Sequence, residues 1–198
     1  MALLRPGPGE AILDAGCGTA VFTLDILAAG PRVIGLDMSL PMLARAREKT
    51  VGWPISCVAG DMMALPFADG IFDKVVSVTA LEFIEDGEGA LGELFRVTRH
   101  HGWVVVATLN SLSPWAARRA AEARTKPDSI FKKAIFRSPD EIRALAPIEG
   151  LLKTAVHFQK DDEPGCAERI ELEGRAKGLM TGAFLVARWE RSGHSGKS

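Results

Sequence analysis

Residues 11–20, AILDAGCGTA, restrict the fold more than any other stretch. The apolar run Ala11-Ile12-Leu13 is too short for a helix and reads as a buried strand. It ends in Asp14. Gly16-Cys17-Gly18 follows, a turn that a strand interior does not tolerate. After Thr19 an apolar-periodic segment begins at once. The unit is therefore strand, glycine turn, helix. Gly16 and Gly18 are free to take positive φ and to bring bare backbone against a ligand. The helix N-terminus behind them offers unpaired N–H groups and a partial positive charge. Together these form a cradle for an anionic or polar small molecule at the carboxyl end of a parallel strand.

The rest of the chain repeats that rhythm. Val21, Leu24 and Leu27 predict a helix over 19–29, stopped by Gly30-Pro31. A strand over 33–36 ends in Asp37. Ser39 caps the next helix, which runs to about 49 with Pro41 in its first turn. A strand over 55–58 leads into Gly60-Asp61, and 65–70 is a loop. Val75, Val76 and Val78 favour a strand over 72–78. Leu91, Leu94, Phe95 and Thr98 mark a helix over 87–99. His100-His101-Gly102 then turns into a strand over 103–108. Five strand–helix alternations predict an α/β, doubly wound parallel sheet with right-handed crossovers.

Beyond residue 110 the pattern changes. Residues 110–137 read as mostly helical and basic. Arg118, Arg119, Arg124, Lys126, Lys132, Lys133 and Arg137 stand there against Glu122 and Asp128. Ser138-Pro139-Asp140-Glu141 opens a short helix to about 145. Strands follow over 152–159 and 183–189, with a helix over 167–177 between them. Residues 1–191 are expected to form one domain, with 112–146 as a helical insertion on the substrate side. Residues 192–198 are expected to be a flexible tail.

A length of 198 residues suits one domain with a substantial core. The net charge of -1 gives no global attraction to nucleic acid or to an anionic membrane. No apolar run approaches the roughly 18 residues of a membrane span, and the first residues lack a signal-peptide core. Cys17, Cys57 and Cys166 are odd in number and widely spaced. They suit neither a disulfide framework nor a metal site, which points to a reducing cytoplasm.

Ligands of such sheets lie beyond the carboxyl ends of the strands, and Asp14, Asp37 and Asp61 stand there in turn. Asp37 falls about 20 residues after the first glycine, where a carboxylate accepts two ribose hydroxyls. The third glycine of the dinucleotide fingerprint is replaced by Val21, which weakens the case for a pyrophosphate ligand.

Four ordered blocks, ILDAGCGTA, VIGLDMS, GDMMALPFADGIFDKVVS and LFRVTRHHGWVVVATLN, span residues 11–110. With them the chain resembles the class I S-adenosylmethionine-dependent methyltransferases, in the group that includes the ubiquinone/menaquinone-biosynthesis type. The resemblance implies a Rossmann-like three-layer αβα sandwich. Its seven-stranded sheet is mostly parallel, with the last strand inserted antiparallel between the fifth and sixth. It implies S-adenosyl-L-methionine as cofactor and S-adenosyl-L-homocysteine as product. Asp14, Gly16, Cys17 and Gly18 match the turn along the methionine part. Asp37 matches the acid on the ribose hydroxyls, and Met38 the apolar residue beside the adenine. Gly60 and Asp61 match the turn whose acid accepts from the adenine amino group, with Met62 alongside. Thr79 matches the backbone that meets the methionine amine. The ligand's carboxylate, ammonium, sulfonium and diol do call for both N–H donors and carboxylates.

Plainer readings stand beside these. Asp14 could serve only to cap the glycine turn, and Asp37 and Asp61 could be ordinary strand-end acids. Met38 and Met62 could be plain core, and Cys17 reads as a small buried residue. His100 and His101 lie at the wrong end of their strand. His157 is either structural or faces the site, and His194 sits in the tail.

The implied reaction is in-line displacement at the sulfonium methyl, for which the protein supplies orientation and a dry pocket. No catalytic residue is assigned. Glu82 is a candidate base, set against its reading as a solvated loop acid; Phe83 departs from the polar residue that relatives often carry there. No Asn/Asp-Pro-Pro-aromatic motif or Pro-Cys pair follows the fourth strand, which argues against nucleic-acid bases and for a small-molecule acceptor. The basic stretch with Trp115, Phe131 and Phe136 suits an anionic small molecule, an acidic partner or a solvated face over core aromatics. Relatives carry one or two helices before the first strand, and few residues precede it here. The cofactor site is then more open, or 160–182 or a second subunit of a homodimer covers it; an uncovered site excludes water poorly. Two alternatives remain open: a cofactor-binding, non-catalytic module acting through a partner, and an NAD-dependent oxidoreductase.

Overall fold

The computed structural model describes residues 2–163 and 165–192. β1 (Ala11–Ala15) sits inside the sheet with Ile12 and Leu13 fully buried on opposite faces. An apolar run of this kind demands cover on both sides. β1 pairs in parallel with β2 (Arg32–Asp37), Asp14 opposite Gly35, and with β4 (Phe72–Val78), Leu13 opposite Val75. β3 (Ile55–Ala59) lies outside β2, and β5 (Thr98–Leu109) lies beyond β4. The order is β3-β2-β1-β4-β5-β7-β6, so the chain changes direction between β1 and β4. Ligands bind at such a switch point. β7 (Phe184–Glu190) runs antiparallel between β5 and β6 (Leu151–Ala155). The sheet is thus seven-stranded and Rossmann-like, with the late antiparallel strand where it was expected.

Helices cover both faces. α1 (Val21–Leu27) buries Ile26 and Leu27 against Ile12, Val33, Val76 and Val105. α3 (Gly87–Val97) and α5 (Pro139–Leu145) bury Leu91, Leu94, Phe95 and Ile142 on the other face, against Leu13, Val75, Val104 and Trp189. Helix starts follow from capping chemistry. Ser39 accepts the Met42 N–H at the start of α2 (Leu40–Lys49), whose first turn carries Pro41. Asp86 accepts the Gly89 N–H for α3. Ser113 does the same for α4 (Pro114–Thr125), and Ser138 with Glu141 forms a capping box on α5.

Some boundaries differ from the sequence expectation. α3 stops at Val97 because Thr98 turns extended, pairs with Phe72 and returns its hydroxyl to Leu94 O. His100 and His101 therefore lie within β5, where the register against β4 shifts. β6 ends at Ala155, since Val156 takes a φ of 64°. Helix covers only α4 and a 3-10 turn, Ile130–Lys133, within the stretch read as mostly helical. Lys126 is held extended by Pro127 after it.

Among the described residues, the hydrogen bonds and ion pairs of the segment after β6 run to α4 and to the tip of β5, as well as to β6. Phe158 O accepts from Trp115 Nε1 at 2.8 Å, and Asp161 pairs with Arg118 at 3.1 Å. His157 ties α6 (Ala167–Ala176) to β6, with Nδ1 3.0 Å from Glu171 and Nε2 3.0 Å from Thr154 Oγ1. His157 is thus a buried link outside the strand. The tail beyond 192, with His194, lies outside the described residues.

Candidate active site

The turn after β1 is built from left-handed backbone. Gly16 has φ 78°, Gly18 has φ 55° and Ala20, before α1, has φ 60°. The N–H groups of Gly16 and Cys17 both donate to Leu36 O, at 2.7 and 3.0 Å, which folds the turn onto the end of β2. Asp37 completes the join. One of its oxygens accepts the Gly18 N–H and the other the Ser39 N–H, each at 2.8 Å. A carboxylate oxygen has two lone pairs, so each keeps one for a ligand.

The two glycines face different surroundings. A Cβ on Gly16 would collide with the Cβ of Ala80 and come within 3.4 Å of Met62 Cε. This seats the turn against the end of β4. A Cβ on Gly18 would meet nothing within 4 Å. Gly18 therefore faces open space, where close approach of backbone to a ligand is free. Asp37 lies opposite Ala59, and its carbonyl accepts the Gly60 N–H at 3.2 Å. Asp61 is thereby placed beside it, exposed, and holds the Met63 N–H at 2.9 Å. Thr79 takes φ 53° as β4 ends and donates its N–H to Ala107 O. Such backbone is costly for a non-glycine residue and collects at functional sites.

Other expected residues lie elsewhere. Asp14 is only 3% exposed and sits behind the turn, accepting Thr23 Oγ1 at 2.6 Å. Burial pushes its carboxyl up to about 6, against the pull of the Thr23 hydroxyl and aided by the nearby Asp37 charge. Cys17 is buried, and burial with the Asp14 and Asp37 charges pushes its thiol up, so it stays neutral. Met62 is core beneath Gly16, whereas Met38 is 71% exposed, which overturns its reading as plain core.

A second group lies at the ends of β4 and β5. Glu82 is 1% exposed in the 3-10 turn Leu81–Phe83, so it is no solvated loop acid. It accepts Thr108 Oγ1 at 3.1 Å. Burial pushes its carboxyl up; its own N–H, the Thr108 hydroxyl, Arg119 and Arg137 pull it back. Arg137 is buried and donates to Leu81 O at 2.8 Å and Ile84 O at 2.7 Å. The Ile135 N–H donates to Glu82 O at 2.7 Å. Asn110, at the tip of β5, gives its amide N–H groups to Met180 O and Gly182 O and accepts the Leu112 N–H. Sequence reasoning missed Thr108 and Asn110. It took Arg119 and Arg137 only as members of a basic stretch suited to an anionic small molecule, an acidic partner or a solvated face, singling out neither. The one available signal was that Thr108 and Asn110 flank the end of a parallel strand. Among the described residues no group of three or more His, Cys, Asp or Glu is placed to hold a metal ion.

Comparison with known proteins decides what this arrangement belongs to. The family profile described as a methyltransferase domain matches residues 13–106. A demethylmenaquinone methyltransferase of Mycobacterium sp. (strain KMS) is 34% identical over 174 residues, 87% of this chain and 70% of that protein. The chain belongs to the class I S-adenosylmethionine-dependent methyltransferases. Members of this class are EC 2.1.1 enzymes with S-adenosylmethionine as cofactor. A malonyl-[acyl-carrier protein] O-methyltransferase of Pectobacterium atrosepticum is 31% identical over 208 residues, covering 94% of this chain and 76% of the relative. A demethylmenaquinone methyltransferase of Mycobacterium marinum is 41% identical over 109 residues, which is 54% of this chain but only 45% of that protein's length. A solved S-adenosylmethionine-dependent methyltransferase of Thermotoga maritima shares the fold, with a TM-score of 0.74 and 21% identity, covering 93% of this chain and 84% of that one.

The methyltransferase cofactor fits the residues present. Gly18 leaves the cradle open where a side chain would fill it. Asp37 retains acceptor capacity for a diol, and Met38 offers an exposed apolar side chain beside it.

Proposed function

We propose that this chain transfers a methyl group from S-adenosylmethionine to a small-molecule acceptor at the ends of β1, β2 and β4. The observation that carries the reading is the joint held by Asp37 and Gly18 beside an open glycine turn. In this reading Asp37 takes the ribose hydroxyls and Asp61 the adenine amino group. Met38 and Gly60 flank the base. Gly16, Gly18 and the backbone at Thr79 meet the methionine part, with Asp14, Cys17 and Met62 supporting them from behind. When bound, the cofactor supplies a methyl group on a positively charged sulfur. The chain's residues bind it, orient it and exclude water.

The acceptor enters from the side of Glu82 and α4, over the insertion at 112–146. Two guanidiniums, Arg119 and Arg137, lie there near a single buried carboxylate, which favours an acidic small molecule. Glu82 balances them and is a candidate to hold an acceptor proton. All three cysteines are free, in keeping with a reducing cytoplasm. No helix among the described residues is long and apolar enough to cross a membrane.

Calorimetry with S-adenosylhomocysteine, followed by transfer of labelled methyl from S-adenosylmethionine across a metabolite panel, tests the reading. Micromolar binding and turnover on at least one acidic metabolite are expected. Absence of S-adenosylhomocysteine binding would overturn it; binding without turnover on any acceptor would mark a non-catalytic module.

A further inference from the structure

Arg119 is held differently from the other basic residues of its helix. Its neighbour Arg118 is exposed and paired with Asp161 at 3.1 Å. Arg119 turns inward. Its guanidinium carbon lies 5.6 Å from the Trp115 ring, 5.6 Å from the Phe131 ring and 5.7 Å from the Phe184 ring. Aromatic faces attract a cation but do not satisfy its directional N–H groups. Nη1 of Arg119 is buried and has no hydrogen-bond partner among the described residues. A buried charged donor left unpaired is uncommon, and it calls for an acceptor.

Among the described residues no acceptor meets Nη1. Glu82 acts on Arg119 through its charge but makes no hydrogen bond to Nη1; it accepts from Thr108 and shares its charge with Arg137. Glu122, on the same helix, is engaged by Lys126 Nζ at 3.0 Å. Arg137 gives its own N–H groups to Leu81 and Ile84. Two cations thus meet one buried anion, and the unspent donor belongs to Arg119. Its position is also informative. Glu82 stands two residues after Ala80, the residue on which Gly16 of the cofactor turn is seated.

We propose that Arg119 is the anion anchor of the acceptor site. The half-buried rings of Trp115, Phe131 and Phe184, which now enclose Nη1, part to let it take a carboxylate or phosphate oxygen of an acceptor whose apolar body lies against them. A forked guanidinium suits either oxyanion. The proposal rests on the methyltransferase reading, and it names the chemical class of acceptor that the reading leaves open.

The test uses the full chain saturated with S-adenosylhomocysteine. Benzoate, phenyl phosphate and neutral benzamide are titrated into wild type, Arg119→Gln and Arg118→Gln. One oxyanion is expected to bind wild type and Arg118→Gln alike, and Arg119→Gln at least tenfold more weakly. Benzamide should bind weakly and not distinguish the three proteins. Preference for benzoate or for phenyl phosphate identifies the oxyanion as carboxylate or phosphate. Equal oxyanion affinity in wild type and Arg119→Gln overturns the assignment, as does failure of both oxyanions to bind the loaded wild type. S-adenosylhomocysteine affinity, read first, separates this from failure of the cofactor reading. Should Arg119→Gln not fold, Arg119→Lys keeps the charge, loses the fork, and must still weaken the preferred oxyanion.

Discussion

The Asp37 carboxylate holds the Gly18 backbone N–H at 2.8 Å, joining the tip of β2 to the turn after β1. One side chain thereby shapes the turn and presents acceptors to the open space beside it. Asp37→Ala is expected to weaken S-adenosylhomocysteine binding by about 1–3 kcal/mol, the range for losing a charged acceptor. Asp37→Asn keeps one oxygen and should lose less. Calorimetry giving wild-type affinity for the alanine variant would contradict the role.

Gly16 and Gly18 should respond differently to alanine. At Gly16 the added Cβ meets the Cβ of Ala80 with φ at 78°, so Gly16→Ala should lower the urea midpoint strongly. At Gly18 no atom lies within 4 Å and only the left-handed backbone is strained, a cost of about 1–2 kcal/mol. Gly18→Ala should therefore fold, yet bind S-adenosylhomocysteine at least tenfold more weakly, because its methyl occupies ligand space. Equal loss of stability in both variants would show that Gly18 faces no site.

How much of this was legible in the sequence depends on how local each cause is. β4 appears at 72–78 in the sequence because its β-branched run is self-contained. Ser39 and Pro41 mark the start of α2 for the same reason. The start of β5 was misplaced because Thr98 becomes strand by pairing with Phe72, a partner that periodicity does not reveal. At the candidate site, Gly18 and Asp37 are spaced by a recurrent strand–turn–helix unit, so their proximity could be read. The burial of Glu82 could not. It depends on Arg137 reaching back 56 residues to Leu81 O and on the Ile135 N–H reaching Glu82 O.

Arg137 holds that reach together. It fills two carbonyls, Leu81 O and Ile84 O, from within the core. Arg137→Ala strands Ile84 O, leaves Leu81 O with only the Ile84 N–H at 3.2 Å, and removes one counter-charge of Glu82. The expected cost is about 1.5–3 kcal/mol, the range for hydrogen bonds made by a charged group. Arg137→Lys provides charge but no fork and should recover only part of it. Urea titration reads both variants; a change under about 1 kcal/mol for Arg137→Ala would show that the turn stands without it.

The Asp14 carboxyl makes stability depend on pH. Its folded value of about 6 stands above the ordinary 3.8, chiefly because burial disfavours the charge. Near pH 3 both folded and unfolded chains hold the proton, and the group contributes nothing. As pH rises from 3.8 towards 6, the unfolded chain releases the proton first, so the folded state loses ground. Above pH 6 the folded group ionises too, and the loss levels off. A gap of roughly two units at about 1.4 kcal/mol each sets the loss at roughly 3 kcal/mol. Asp14→Asn keeps an oxygen for the Thr23 hydroxyl and does not titrate. Whatever its baseline, the variant should therefore gain on wild type as pH rises from 4 to 7, by an amount on the order of 3 kcal/mol, with no further gain to pH 8. Urea unfolding at a series of pH values measures that difference, and a flat difference would mean that Asp14 is not desolvated in the folded chain.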